Sequence, residues 1–235
     1  MTQDNYEISP NPQVTLQQLQ QSGAIAVIRC QQLDLGRQMA EAIAQGGIHW
    51  IEITWNSHRP TELITQLCSD LPHCFIGAGT LLNVDHIHQA IASGAQFLFS
   101  PHTNVEMIQA ATTAAVPMIP GALSATEILS AWQAGATAVK VFPISAVGGV
   151  DYIKSLSGPL GQIPLIPTGG VTVDNAKDFI NAGAVAVGLS GDLFLKSLIA
   201  EGNWCGITQR ARQLHQQLQT AIAARQYRDS EIINA

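Results

Sequence analysis

The residue best equipped for covalent chemistry in this 235-residue chain is a lysine flanked by apolar side chains. Lys140 lies in the run Ala136, Thr137, Ala138, Val139, Lys140, Val141, Phe142, Pro143. In an extended strand, alternation puts Ala138, Lys140 and Phe142 on one face and Val139 with Val141 on the other. Burial disfavours an ammonium ion, and the uncharged amine is the form that adds to a ketone and condenses to an imine. A plainer reading leaves Lys140 reaching to a solvent rim or paired with Glu52. That glutamate sits in Trp50, Ile51, Glu52, Ile53, Thr54, on the same strand face as Trp50 and Thr54. An inward carboxylate must be paired or be kept for proton transfer. Imine chemistry on a 2-oxo acid needs such a group, both for dehydrating the carbinolamine and for breaking a carbon–carbon bond.

Other candidates would bind rather than react. Thr168, Gly169, Gly170 and, further on, Ser190 with Gly191 follow apolar strand-like segments. Glycine lets backbone amides approach an anion with no Cβ in the way, so these two stretches are candidate phosphate holders. A Gly-Gly pair can equally be an ordinary turn. Arg29 ends the apolar run that starts at Ala24, where a guanidinium could grip a carboxylate with two parallel hydrogen bonds or simply pair with a neighbouring acid. Thr80 and Pro101 follow two further apolar segments, and the Thr80 hydroxyl could donate to substrate or to backbone.

The elements that must present these residues recur regularly. Eight short apolar segments, 24–29, 50–54, 75–77, 97–100, 116–120, 138–141, 165–168 and 185–188, have the length and composition of strands. Between them, 36–45, 60–71, 84–93, 104–115, 125–134 and 173–182 carry apolar residues at helical spacing. Ser124 and Thr172 are placed as helix caps, and Gly46, Gly94, Gly135 and Gly183 as helix ends. Strand–helix alternation repeated eight times predicts one parallel α/β domain, a (β/α)8 TIM barrel over 21–225. An arm or helix over 1–20 precedes it, with a closing helix over 203–225 and a frayed tail over 226–235. An open doubly wound sheet is disfavoured, because no G-x-G-x-x-G follows the first strand. In a barrel the C-terminal strand ends form the active face, and the loops after strands seven and eight are the recurrent phosphate site. Every candidate above falls at such an end.

Composition narrows the partners. With 11 Lys+Arg against 17 Asp+Glu, a net charge of -6 and no basic cluster, nucleic acid is not an expected ligand. Cys30, Cys68, Cys74 and Cys205 form no C-x-x-C pair, the pattern of reduced thiols in the cytoplasm. The polar, Gln-rich first 20 residues do not resemble a secretory signal. The apolar runs are far shorter than the ~20 residues a membrane-spanning helix needs, so no membrane association is expected. His86 and His88 are two positions apart on an expected helix and point in different directions, so no metal site is expected. No organic cofactor is expected either.

Taken in order, Glu52 within Ile-Glu-Ile-Thr, the Gly77 to Thr80 stretch, Ser100 with Pro101, Ile119 to Gly121, Lys140 within Lys-Val-Phe-Pro and Pro167 to Gly170 resemble the 2-dehydro-3-deoxy-phosphogluconate (KDPG) / 4-hydroxy-2-oxoglutarate (KHG) aldolase family. The resemblance covers roughly residues 20–220. It implies a cofactor-free class I aldolase of carbohydrate metabolism, usually a homotrimer, that releases pyruvate from a phosphorylated 2-oxo acid. The second product is glyceraldehyde 3-phosphate, or glyoxylate from KHG; the galactonate-derived epimer is an alternative substrate. It further implies Lys140 as the Schiff-base lysine, Glu52 as the proton-transfer residue, Thr80 and Pro101 in the pyruvyl pocket, and Gly169, Gly170 and Ser190 on the phosphate. One departure is notable. Many members carry an arginine four residues after the glutamate, on the pyruvyl carboxylate, where this chain has Asn56. Arg29 at the end of strand one is the expected replacement, ahead of Arg59. A metal-free barrel isomerase or synthase with Glu52 as base, and a non-catalytic anion binder, are the competing readings.

Overall fold

The computed structural model describes residues 12–233. Strands β1 (Ala24–Ile28), β2 (Trp50–Thr54), β3 (Phe75–Gly79), β4 (Leu98–Phe99), β5 (Met118–Ile119), β6 (Gly121–Ala122), β7 (Val139–Val141), β8 (Leu165–Pro167) and β9 (Val187–Leu189) are all fully buried. Burial on both faces explains why they are nearly continuous apolar runs rather than alternating ones. All pairings are parallel, in the orders β5-β4-β3-β2-β1-β9 and β6-β7-β8.

Two seams join these sheets into a closed barrel. β5 and β6 form a single barrel position divided at Pro120, which has no N–H to donate. Its carbonyl still accepts from Lys140 N at 2.9 Å, and Met118 O accepts from Thr137 N at 2.9 Å. On the other side a parallel bridge joins Thr168 to Gly188, and Val185 N donates to Leu165 O at 3.0 Å. The result is the eight-position (β/α)8 barrel that the sequence implies.

Helices α1 (Pro12–Ser22), α2 (Leu33–Gln45), α3 (Pro60–Asp70), α4 (Val84–Ala92), α5 (Val105–Thr113), α6 (Ala125–Gln133), α7 (Val150–Leu160), α8 (Ala176–Asn181), α9 (Lys196–Ala200) and α10 (Trp204–Ile233) surround it. None of them is long and apolar enough to cross a membrane. The main core lies between helices and barrel wall. A second core fills the barrel from below. There Trp50 stacks on Phe75 with ring centroids 4.3 Å apart, Phe97 packs against both Trp50 and Phe99, and Leu19 of α1 closes the floor. Gly77 makes this possible, since a Cβ there would lie on the Phe97 ring.

Several boundaries differ from the sequence expectation. The alternation implies a helix where α7 lies but does not delimit it, since Gly158 and Pro159 near its end break the helical pattern, and α9 is an additional helix. α8 starts at Ala176 rather than 173, because Thr172 and Asn175 hydrogen-bond each other's backbone amides and hold a turn in place of the first helical residues. α10 continues to Ile233, past the end expected at 225. Arg225 donates to Ala184 O at 3.0 Å and Arg228 to Asn181 Oδ1 at 3.3 Å, tying the extension to the segment around α8. Of the arm expected over 1–20, residues 12–20 belong to α1; residues 1–11 lie outside the described residues.

At the N-terminal end of the barrel the His49 ring stands edge-on to that of His73, centroids 5.5 Å apart, and His215 of α10 packs over Gly47. Burial, then the charges of His73 and His215, hold His49 below its ordinary value; burial alone lowers His215. A histidine harder to protonate folded than unfolded contributes nothing above the unfolded value near 6.5, and destabilises the fold as pH falls below it. Thermal unfolding between pH 7.5 and 5 should show a steep acid-side loss, and the double variant His49→Gln with His215→Gln should flatten it by a few degrees. Parallel slopes in the two proteins would rule this source out.

Candidate active site

The C-terminal mouth of the barrel opens into a cavity of about 570 Å³, and all eight residues expected from sequence line it: Arg29, Glu52, Thr80, Pro101, Lys140, Gly169, Gly170 and Ser190. Register explains their convergence. Glu52 pairs with Val27 on β1 and Gly77 on β3, while Lys140 pairs with Gly121 and Ile166 on the far wall.

Lys140 is 5% exposed and Glu52 1% exposed. No ion pair within 4.0 Å joins them. The Lys140 Nζ instead lies 4.9 Å from the Phe142 ring centroid and 5.4 Å from that of Phe99. Glu52 is seated separately: its carboxylate occupies the space that a Cβ on Gly79 would fill. Oε1 is buried and has no hydrogen-bond partner among the described residues. Burial pushes the Glu52 carboxyl above the ordinary carboxylate range, against the opposing pull of the Lys140 and Arg29 charges. Such a group can hold or release a proton closer to neutrality than a solvated glutamate can.

The rim is built by local backbone devices. Thr80 sits at the end of β3 with φ 60°, a left-handed conformation that costs a non-glycine residue about 1–3 kcal/mol and aims the residue into the cavity. Ser100 Oγ donates to His102 O at 2.6 Å and shapes the turn that carries Pro101, whose carbonyl packs where Gly121 lacks a side chain. Arg29 is exposed at the mouth and makes no ion pair among the described residues. Arg59 is held by Glu62 at the start of α3, and neither it nor Asn56 reaches the cavity lining.

Opposite lies an end rich in glycine and amides. Gly169 and Gly170 have φ of 81° and 98°, and a Cβ on Gly170 would fall 2.5 Å from Ser145 Cβ, so this turn requires glycine. Among the described residues, the amides of Gly170, Val171, Ser190 and Gly191 donate to no protein acceptor. The helix terminus expected near 173 is absent here, because α8 begins later; the donors are turn amides. Sequence reasoning put Thr54 and Phe142 on the inner faces of Glu52 and Lys140 without giving them a role, and it left out Val27 and Asp192; all four are part of the lining. Strand alternation from Arg29 could have supplied Val27. Nothing in the sequence singles out Asp192. No three His, Cys, Asp or Glu side chains gather as metal ligands among the described residues. His86 Nδ1 accepts from Leu82 N at 3.3 Å, and its ring packs on Trp55.

Comparison with known proteins agrees with this geometry. The family model described as KDPG and KHG aldolase matches residues 16–210. A 2-dehydro-3-deoxy-phosphogluconate aldolase of Dickeya dadantii is 31% identical over 189 residues, 80% of this chain and 89% of that protein. The KDPG aldolase of Legionella pneumophila, solved with pyruvate captured as a covalent carbinolamine, superimposes with a TM-score of 0.78 at 30% identity, covering 83% of this chain and 95% of that one. A designed cube-shaped protein cage made by fusing symmetric oligomeric domains matches with a TM-score of 0.80 at 29% identity, over 90% of this chain and 77% of its own. A barrel with a buried lysine and glutamate at its mouth, matched over most of its length, belongs to the KDPG and KHG aldolase family of carbon–carbon lyases.

Proposed function

We propose that this protein is a class I aldolase that cleaves 2-dehydro-3-deoxy-6-phosphogluconate to pyruvate and glyceraldehyde 3-phosphate, with 4-hydroxy-2-oxoglutarate, which yields pyruvate and glyoxylate, as a second substrate. The observation that carries this reading is a lysine amine with no carboxylate partner, walled by Phe99 and Phe142 at the foot of a cavity that also holds a buried, unpartnered glutamate oxygen. In this reading the Lys140 Nζ adds to the C2 carbonyl, and the carbinolamine loses water to give an iminium. The iminium draws the electron pair of the C3–C4 bond as Glu52 accepts the C4 hydroxyl proton, directly or through water, and the aldehyde departs. Glu52 returns the proton to C3 of the enamine, and water releases pyruvate from Lys140. Arg29 takes the substrate carboxylate, beside Thr80 and Pro101, and Gly169, Gly170 and Ser190 take the phosphate. A cytoplasmic homotrimer working in Entner–Doudoroff sugar-acid breakdown fits the family and the symmetric-oligomer origin of the related cage.

Borohydride reduction in the presence of pyruvate should add one reduced pyruvyl group, located at Lys140 by peptide mass. Lys140→Ala should abolish the adduct and lower kcat for cleavage by about a thousandfold or more. Cleavage undiminished in that variant would end the Schiff-base reading, and trapping by a protein that cleaves no 2-oxo acid would point to a non-catalytic binder.

Arg29→Met removes a charge-assisted bond worth about 1.5–3 kcal/mol, so the KM for 2-oxo acids should rise more than about tenfold. It also removes one of the two cations that favour the Glu52 carboxylate. The acid limb of kcat/KM should therefore start above the ordinary carboxylate range in the wild type and move to still higher pH in the variant. An unchanged KM with an unmoved limb would take Arg29 out of the site.

A further inference from the structure

We propose that Arg210, acting through Asp192, is a positioning residue that fixes the loops after β8 and β9 as one cradle for the substrate phosphate. The inference rests on the reading that a phosphate binds there. Arg210 lies on α10 and does not line the cavity; Asp192 does. The guanidinium holds that residue at two points: Nε donates to Asp192 O at 2.8 Å and Nη2 to Asp192 Oδ2 at 2.9 Å. The same Oδ2 accepts from Val173 N at 2.7 Å. One carboxylate oxygen thus joins the loop bearing Ser190 and Gly191, the loop bearing Gly169 and Gly170, and the long closing helix. Among the described residues no other side chain hydrogen-bonds to both loops.

Geometry and charge both matter here. The pair is only 27% and 29% exposed and uses the planar fork of arginine, unlike the solvated Lys154–Asp151 pair, whose side chains are 62% and 90% exposed. Two-point, charge-assisted contacts of this kind fix orientation as well as distance. Asp192 is also the second carboxylate in the cavity wall, on the side where a phosphate would enter. Left unmatched, it would repel a phosphate. Matched by Arg210 and by the Val173 amide, it lets the unengaged amides of both loops face the same anion.

The test is the aldol addition of pyruvate to glyceraldehyde 3-phosphate and to unphosphorylated glyceraldehyde. Arg210→Met should raise the KM for glyceraldehyde 3-phosphate about tenfold. The KM for pyruvate and for glyceraldehyde, and borohydride trapping at Lys140, should stay within about twofold of wild type. Arg210→Lys should recover part of the loss, since one ammonium reaches one of the two acceptors. Should Arg210→Met fail to fold, Arg210→Gln keeps a side-chain amide donor for Asp192 while removing the guanidinium charge, and the same KM split is expected. Equal losses with both aldehydes, or none, would overturn the role of Arg210. A wild type with no preference for the phosphorylated aldehyde and no competition from inorganic phosphate would overturn the phosphate reading, and this inference with it. A wild type with that preference, kept in full by Arg210→Met, would overturn only the inference.

Discussion

The site depends on an ion pair that does not form. A lysine and a glutamate, both almost completely buried in one barrel mouth, would attract each other strongly in a medium of low polarity. Joined, the amine would be a permanent donor and the carboxylate a permanent acceptor, and neither could serve a reacting carbonyl. The fold gives each its own seat. Glu52 lies back into the space left by Gly79, and Lys140 rests against the faces of two phenylalanines. Two glycines on the inner face of β3 make this arrangement possible. Gly77 yields its space to the aromatic floor and Gly79 to the catalytic-face carboxylate. The stretch from Gly77 to Thr80 is therefore a packing requirement of both the core and the chemistry.

Below that level the barrel is closed. Trp50, Phe75, Phe97 and Phe99 fill its lower half, so the cavity is a blind pocket rather than a channel. Water reaches the pair from the mouth alone, which is the side substrate must occupy. The same apolar floor keeps Glu52 above its ordinary range, because burial outweighs the nearby cations. Proton-transfer capacity at this carboxyl is thus a consequence of how the barrel is packed, as much as of its neighbours in the site.

The barrel was legible because parallel strands covered on both faces announce themselves as apolar runs at regular spacing, and the inward candidates followed from alternation within those runs. Lys140 and Glu52 stood out as charges in segments that otherwise have none. What escaped had a physical reason in each case. α7 was hidden by Gly158 and Pro159, and the later start of α8 by a turn over 173–175 that Thr172 and Asn175 close with reciprocal cap-type bonds. The end of α10 was hidden because a polar, solvated helix carries little periodic signal, and two arginine side chains bonded to distant residues extend it. Arg210 and Asp192 are 18 positions apart in the chain and meet only once the barrel has closed. No local pattern encodes that pairing.

Net charge makes the anion end of the cavity instructive. A chain with six more acidic than basic groups cannot gather anions through its overall field, so attraction must be local. At one end of the mouth the proposed source is Arg29, a guanidinium with no acidic partner among the described residues. At the other it is backbone amides, which carry no net charge to be neutralised by the surrounding acids and which the turns at Gly169 and Gly170 leave unengaged. Amides are useful in that role only if their directions are fixed, since a loop free to turn would satisfy them with its own carbonyls or with water. The α10 helix meets that condition from outside the barrel. Its long packing against α2 and α8 anchors it, and one guanidinium carries that rigidity across to the loop after β9. On the proposed reading the closing helix is therefore part of how the barrel would hold a phosphate, although none of its residues lines the cavity.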